Sequence, residues 1–339
     1  MRIDDLRAYL GKKSWEVDDA LEAFQRADGI PNLHDGVRYA LGLDVKDRAK
    51  RGKRLRPVLC LLVAESLDAD PAKAMPFALA CEFLHNFLLV HDDIQDGDIK
   101  RRGRDTVWVK FGRDHAINIG DYLYTLTYRS VLRSRDVSVE PATVLRLVDL
   151  ITTTMEHTGA GQALDLNDRR RRDLTLDDYL RTVEEKTGYY LACALTGGAL
   201  IAGSTPQVLE ALEAFGRAAM PVFQISDDVL DLSEAKGRGE IGSDIREGKR
   251  SVLVVYTAHQ CTGTEAERMY DVLDKGREET TREEVEWVIN LFQKYGAEEA
   301  ARRQGETLLA RAQGLLEGLP SDLRSNLTLA SRYLMTREA

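Results

Sequence analysis

The 339 residues include only 4 cysteines and 8 prolines. Cys60, Cys81, Cys193 and Cys261 are far apart and form no CxxC pair, so neither a disulfide framework nor a zinc cluster is expected. The first three sit in apolar stretches and read as reduced core thiols. Alternating apolar and polar runs are almost absent, which excludes an extensive half-buried sheet. A basic surplus is lacking too: the net charge is −9, against the basic face that a nucleic-acid binder carries. No apolar run of about eighteen residues is found, so a transmembrane helix is not expected. The stretch nearest to one, Tyr190–Gly203, reads as a buried central helix. The opening "MRIDDLRAYL" lacks the apolar run of a signal peptide and has an amphipathic pattern. These absences lead to the expectation of a soluble, cytoplasmic chain.

Helical periodicity, by contrast, is nearly continuous, as in "RPVLCLLVAESL", "MPFALACEFLHNFLLVHDD" and "LEALEAFGRAAMPVFQISDDVLDL". Pro57, Pro71, Pro141 and Pro206 stand where helices would begin. No Pro/Ser-rich linker divides the chain. The expected architecture is a single all-α domain over residues 1–339, with irregular segments near 96–106, 166–175 and 233–250. "SVLVVY" (Ser251–Tyr256) is ambiguous and is assigned to helix by its context. The arginine run "DRRRRD" (Asp168–Asp173) reads as a solvated inter-helix loop, since its own aspartates flank it.

Two acidic clusters stand out. "HDDIQD" (His91–Asp96) and "SDDVLD" (Ser226–Asp231) share a DDxxD pattern at the ends of apolar helices. Residues four apart lie on one helical face, so Asp92 with Asp96, and Asp227 with Asp231, form carboxylate pairs one turn apart. At about 4 Å such a pair repels by about 4 kcal/mol at an effective dielectric near 20, which calls for a cation. All-oxygen ligands suit a hard ion such as Mg²⁺ together with substrate phosphate. Basic residues supply the complementary charge: Lys53, Arg54 and Arg56 in "GKRLRP", then Lys100, Arg101 and Arg102 just after the first cluster. His85 lies seven residues before Asp92, two turns away on the same face.

With these clusters stand "RRG", "AINIGD" (Ala116–Asp121), "GQALDL" (Gly161–Leu166), "EKTGYY" (Glu185–Tyr190) and "GSDIREGKRS" (Gly242–Ser251). Together, over roughly residues 50 to 255, they resemble the trans-isoprenyl diphosphate synthases of the polyprenyl synthetase family. The resemblance implies an isoprenoid synthase-type helical bundle around a central cavity. It also implies a prenyltransferase that condenses isopentenyl diphosphate with an allylic diphosphate, working as a homodimer with Mg²⁺ ions expected to number three.

Carried over position by position, the resemblance gives Asp92, Asp96, Asp227 and Asp231 as metal ligands, with Asp93 supporting. Lys186, Thr187, Gln224, Lys249 and Arg101 would contact the allylic substrate, Lys186 and Gln224 as catalytic residues. Lys53, Arg56, His85 and Arg102 would hold isopentenyl diphosphate. Product length would depend on Phe87 and Leu88, just before the first motif. An ideal wheel puts Leu88 directly below Asp92 and Phe87 to one side; the family pattern of one aromatic followed by a smaller residue resembles enzymes making geranylgeranyl diphosphate, with farnesyl diphosphate second. One departure is visible: the family carries a lysine near the position of Glu240, with Lys236 or Arg238 as the nearest substitutes. Two other readings are a class I terpene cyclase, which would lack the second-substrate pocket, and a regulatory subunit, which would have broken aspartate motifs.

Overall fold

The computed structural model describes residues 3–24, 29–233 and 241–335, and these are almost wholly helical. The helices are α1 Ile3–Phe24, α2 Leu33–Ala40, α3 Leu55–Ser66, α4 Pro71–Asp96, α5 Val107–Phe111, α6 Arg113–Leu132, α7 Pro141–Asp168 and α8 Leu176–Val183. A π-helical turn, Glu184–Gly188, leads into α9 Tyr189–Ile201, followed by α10 Pro206–Leu230, α11 Ser243–Arg246 and α12 Val252–Gln260. The last four are α13 Thr264–Leu273, α14 Arg282–Lys294, α15 Ala297–Gly314 and α16 Ser321–Met335. Between α4 and α5 a two-residue hairpin pairs β1 Lys100–Arg101 with β2 Arg104–Asp105.

Contacts group the chain into two compact units. The first comprises Met1–Thr153, Ala192–Glu213 and Leu316–Ala330. Its core is built on α3, α4 and α6, where Leu61, Leu62, Phe77, Phe83, Leu84 and Leu123 are fully buried. Small residues let α9 approach: a Cβ on Gly197 would sit 1.9 Å from the Phe77 ring, and one on Gly198 would sit 2.4 Å from the Cys60 carbonyl. The Tyr190–Gly203 stretch is thus the buried helix its composition predicts. A correction concerns α4: by length and composition it, rather than Tyr190–Gly203, is apolar enough to cross a membrane, and 61% of that window is buried inside the protein. All four cysteines are free and buried.

The second unit comprises Thr154–Leu191, Ala214–Leu315 and Ser331–Ala339. Val252, Leu253, Val254 and Val255 are all buried in its core, so the ambiguous "SVLVVY" run is a helix surrounded on every side. The arginine run is neutralised within this unit. Arg171 pairs with Asp168, Asp173 and Asp178, and Arg172 with Asp271 and Asp274.

Candidate active site

In the first unit, α4 carries its aspartates to a fixed stop. Asp70 caps the helix through the Ala72 amide and Pro71 occupies its first turn. Gly97, at φ 68°, ends it directly after Asp96. Asp92, Asp93 and Asp96 therefore crowd the negative end of the helix dipole, where carboxylates are least at home. Asp92 and Asp96 are half-buried and Asp93 is buried. Two nitrogens of Arg101 lie 2.6 Å from Asp93 Oδ1. Burial pushes the Asp93 carboxyl up to about 6, with Arg101 pulling the other way.

Arg101 reaches Asp93 because the hairpin folds back at Arg102 (φ 52°) and Gly103 (φ 72°). The same turn lays the Arg102 guanidinium against Gly52, where an added Cβ would lie 2.5 Å from it. The hairpin thus brings Arg102 beside the loop that carries Lys53. That loop is held by Arg54, which sequence reasoning grouped with its basic neighbours. Arg54 is buried at φ 46° and bonds Asp18 (2.8 Å), Glu82 (2.7 Å) and the Leu41 carbonyl (2.5 Å). Lys53 stays exposed and Arg56 half-buried. His85, half-buried on α4, has its pKa held well below the usual value, first by burial and then by Arg56, Arg102, Arg101 and Arg54. A neutral imidazole surrounded by four guanidinium groups is the electrostatic signature of an anion site.

Phe87 and Leu88 are both half-buried. Phe87 stacks on Tyr124 of α6, with ring centroids 4.9 Å apart, and its ring is 4.8 Å from His91. His91 fits because Gly120 has no side chain; a Cβ there would lie 2.3 Å from the imidazole.

The second unit repeats the scheme at the end of α10. Asp227 is half-buried, whereas Asp228 is buried and accepts from Tyr179 Oη (2.9 Å), Gln224 Nε2 (2.8 Å), Lys249 Nζ (3.1 Å) and the Val252 amide (3.0 Å). The Val252 amide opens α12, so Asp228 also meets the positive end of a helix dipole. Asp231 is buried as well; its oxygens accept from Ser243 Oγ (2.6 Å) and the Asp244 amide (2.9 Å), which fastens the loop after α10. Burial alone would lower the Lys249 pKa, but Asp228, Asp244, Asp227 and Asp165 hold it well above the usual lysine value. Lys249 and Gln224 thus converge on one carboxylate beside Asp227.

Lys186 and Thr187 lie in the π-helical turn. Such a turn widens the helix and turns side chains that an α-helix would direct elsewhere. Lys186 Nζ lies 2.9 Å from Asp165, and the Thr187 hydroxyl donates to the Val183 carbonyl at 2.8 Å. The turn is clamped on both sides. Glu185 bonds His157 Nδ1 at 2.7 Å, and Glu184 accepts from Arg217 Nη2 at 2.6 Å. The His157 and Tyr189 rings stack at 3.5 Å, and Arg217 lies over the Tyr189 ring. Gly161 lets α7 touch the turn: a Cβ there would lie 2.1 Å from the Lys186 amide nitrogen.

Each unit therefore gathers its own set. Lys53, Arg56, His85, Phe87, Leu88, Asp92, Asp96, Arg101 and Arg102 belong to the first, and Lys186, Thr187, Gln224, Asp227, Asp231 and Lys249 to the second. Sequence reasoning missed Asp165, Asp228 and Arg54. The signal for Asp228 was present: in each motif the middle aspartate lies about 100° off the line of the outer pair, toward the packed side. Lys236, Arg238 and Glu240, where the family pattern departs, lie outside the described residues.

The polyprenyl synthetase family model matches residues 45–292. The chain is 36% identical over 290 residues to the short chain isoprenyl diphosphate synthase of Methanothermobacter thermautotrophicus, covering 85% of this chain and 87% of that one. It is 32% identical to the geranylgeranyl diphosphate synthase of Methanosarcina mazei over 96% of both chains. The crystal structure of geranylgeranyl pyrophosphate synthetase from Pyrococcus horikoshii superposes over 100% of both chains, with a TM-score of 0.87 and 29% identity. The chain belongs to the polyprenyl synthetase family and is a prenyltransferase.

Proposed function

We propose that this chain condenses isopentenyl diphosphate with an allylic diphosphate to make geranylgeranyl diphosphate, by Mg²⁺-assisted ionisation. The observation that carries the reading is the convergence of Arg56, Arg101 and Arg102 on a neutral His85 two turns below Asp92. Cations gathered beside a carboxylate motif fit a diphosphate that is also metal-bound. The same convergence favours a two-substrate enzyme over a terpene cyclase, which has no need of a second anion pocket.

Asp92, Asp96, Asp227 and Asp231 would hold Mg²⁺, expected to number three ions. Their oxygens suit a hard cation, and carboxylates gathered at the negative ends of two helices fit one. Bound there, Mg²⁺ would supply Lewis-acid stabilisation of the charge growing on the departing pyrophosphate. Lys186, Thr187, Gln224, Lys249 and Arg101 bind and orient the allylic diphosphate. Asp165 and Asp228 hold Lys186 and Lys249 in place, so little reorganisation is needed as charge develops. Lys53, Arg56 and Arg102 bind isopentenyl diphosphate, and His85, kept neutral, donates or accepts a hydrogen bond without adding charge. Apolar side chains of α4 shield the allylic cation from water, and Phe87 with Leu88 limits the growing tail. Ile117 and Leu132 on α6 and Leu145 on α7 are exposed, which supports a homodimer, and the net charge of −9 fits a soluble cytoplasmic enzyme.

The test is incubation of the purified chain with isopentenyl diphosphate and allylic primers of increasing length, with chromatography of the dephosphorylated products. An elongated linear product that requires isopentenyl diphosphate is expected. A cyclic hydrocarbon formed from the allylic substrate alone would establish the cyclase instead, and absence of any product would favour a regulatory subunit.

A further inference from the structure

The helices α4 and α6 run past each other in register, and the register makes an aromatic ladder. His91 lies against Gly120. One turn down α4 and one turn up α6, Phe87 stacks on Tyr124 with 27° between the rings. One further turn along α6, Tyr128 meets Tyr124 edge-on at 5.2 Å, and the two hydroxyls lie 2.8 Å apart. Farther along, the Ser130 hydroxyl donates to the Pro76 carbonyl at 2.7 Å, so the two helices are tied beyond the ladder. Sequence reasoning placed chain-length control on Phe87 and Leu88 of α4 alone.

A half-buried phenylalanine on a helix has alternative rotamers, and its ring limits a tail only in the one that spans the path. Gly120 fixes where His91 lies, and His91 closes one edge of the space open to Phe87. The Tyr124 ring covers the face. Tyr124 is in turn kept from rotating by the Tyr128 hydroxyl. We infer that Tyr124, locked by Tyr128, is the positioning residue that holds the Phe87 ring in place and thereby sets product length. This rests on the elongation reading above and extends the determinant from α4 to α6. A stacked aromatic pair biases ring placement roughly two- to twelvefold.

The experiment measures the ratio of next-longer to normal product in each reaction, a quantity that the amount of folded enzyme does not change. Wild type, Phe87→Ala, Tyr124→Leu, Tyr124→Phe and Tyr128→Phe are compared with one primer and saturating isopentenyl diphosphate. Phe87→Ala and Tyr124→Leu should each lengthen the product, Tyr124→Leu raising the ratio roughly two- to twelvefold. Tyr124→Phe and Tyr128→Phe keep both rings but lose the hydroxyl bond, and should shift the ratio in the same direction and less than Tyr124→Leu. A Tyr124→Leu enzyme with the wild-type ratio overturns the inference, whether or not Phe87→Ala lengthens the product. A wild-type chain that adds no isopentenyl unit overturns the elongation reading itself, so the two failures are distinct.

Discussion

Lys249 Nζ lies 3.1 Å from Asp228 Oδ1, and Asp228 is completely withdrawn from solvent. In the other unit Arg101 lies 2.6 Å from the buried Asp93. In each motif, then, the middle aspartate anchors the basic residue of a following segment, and the outer positions are the ones with solvent access at Asp92, Asp96 and Asp227.

Breaking the anchor should damage stability more than losing an outer carboxylate. Asp228→Ala leaves a buried ammonium uncompensated and should cost about 3–5 kcal/mol. Asp227→Ala should cost far less while abolishing turnover. Urea melts at neutral pH compare the two; equal losses would contradict the anchoring role.

The basic loop divides in the same way. Lys53→Ala should leave the urea midpoint unchanged and weaken isopentenyl diphosphate binding roughly 10- to 150-fold, the loss of one charged hydrogen bond. Arg54→Ala strands Asp18 and Glu82 and should destabilise the fold by about 3–5 kcal/mol. Melts together with the KM for isopentenyl diphosphate separate the roles.

His85 gives a pH signature. Its folded pKa lies below the unfolded value of about 6.5, so the unfolded chain takes up the proton first. The contribution to stability is whole above that value and is lost as pH falls below it toward the folded pKa, by up to about 1.4 kcal/mol per unit. Urea midpoints across this range should show a shallower slope for His85→Gln than for wild type. Parallel slopes would show that His85 does not titrate differently on unfolding.

Gly161→Ala drives a methyl group into the Lys186 backbone. Misplacement of a positioning residue by about 1 Å can cost on the order of 100-fold, so kcat/KM for the allylic substrate should fall by about that factor. Initial rates measure it, and a value within about twofold of wild type would show that the turn tolerates displacement.

Much of this was legible from residues. The apolar period and the Asp70–Pro71 start located α4, and the DDxxD spacing located its acidic end. The alternating-looking run at Val252–Val255 was assigned correctly because its neighbours are helical, although valine itself favours strands. Other features depended on tertiary contacts. Pro76 and Pro221 lie inside α4 and α10, where local rules place a break. The π turn follows a capped helix, Thr175 to Val183, with no breaker in its sequence; its clamps come from His157 and Arg217, distant along the chain. Asp165, Asp228 and Arg54 read as ordinary surface charges until folding buries or pairs them. Phe87 shows the limit of a wheel: the angle was right, and only α6 reveals what faces it.

The central claim is that carboxylates at the ends of α4 and α10 bind magnesium to draw pyrophosphate from the allylic substrate. Its most direct test is the rate of elongated-product formation as free Mg²⁺ is titrated against EDTA, in wild type, Asp92→Ala and Asp227→Ala. Wild-type turnover should vanish in excess EDTA and return with Mg²⁺, and each variant should lose on the order of 100-fold or more at saturating metal. Undiminished turnover in EDTA, or in either variant, would contradict the account.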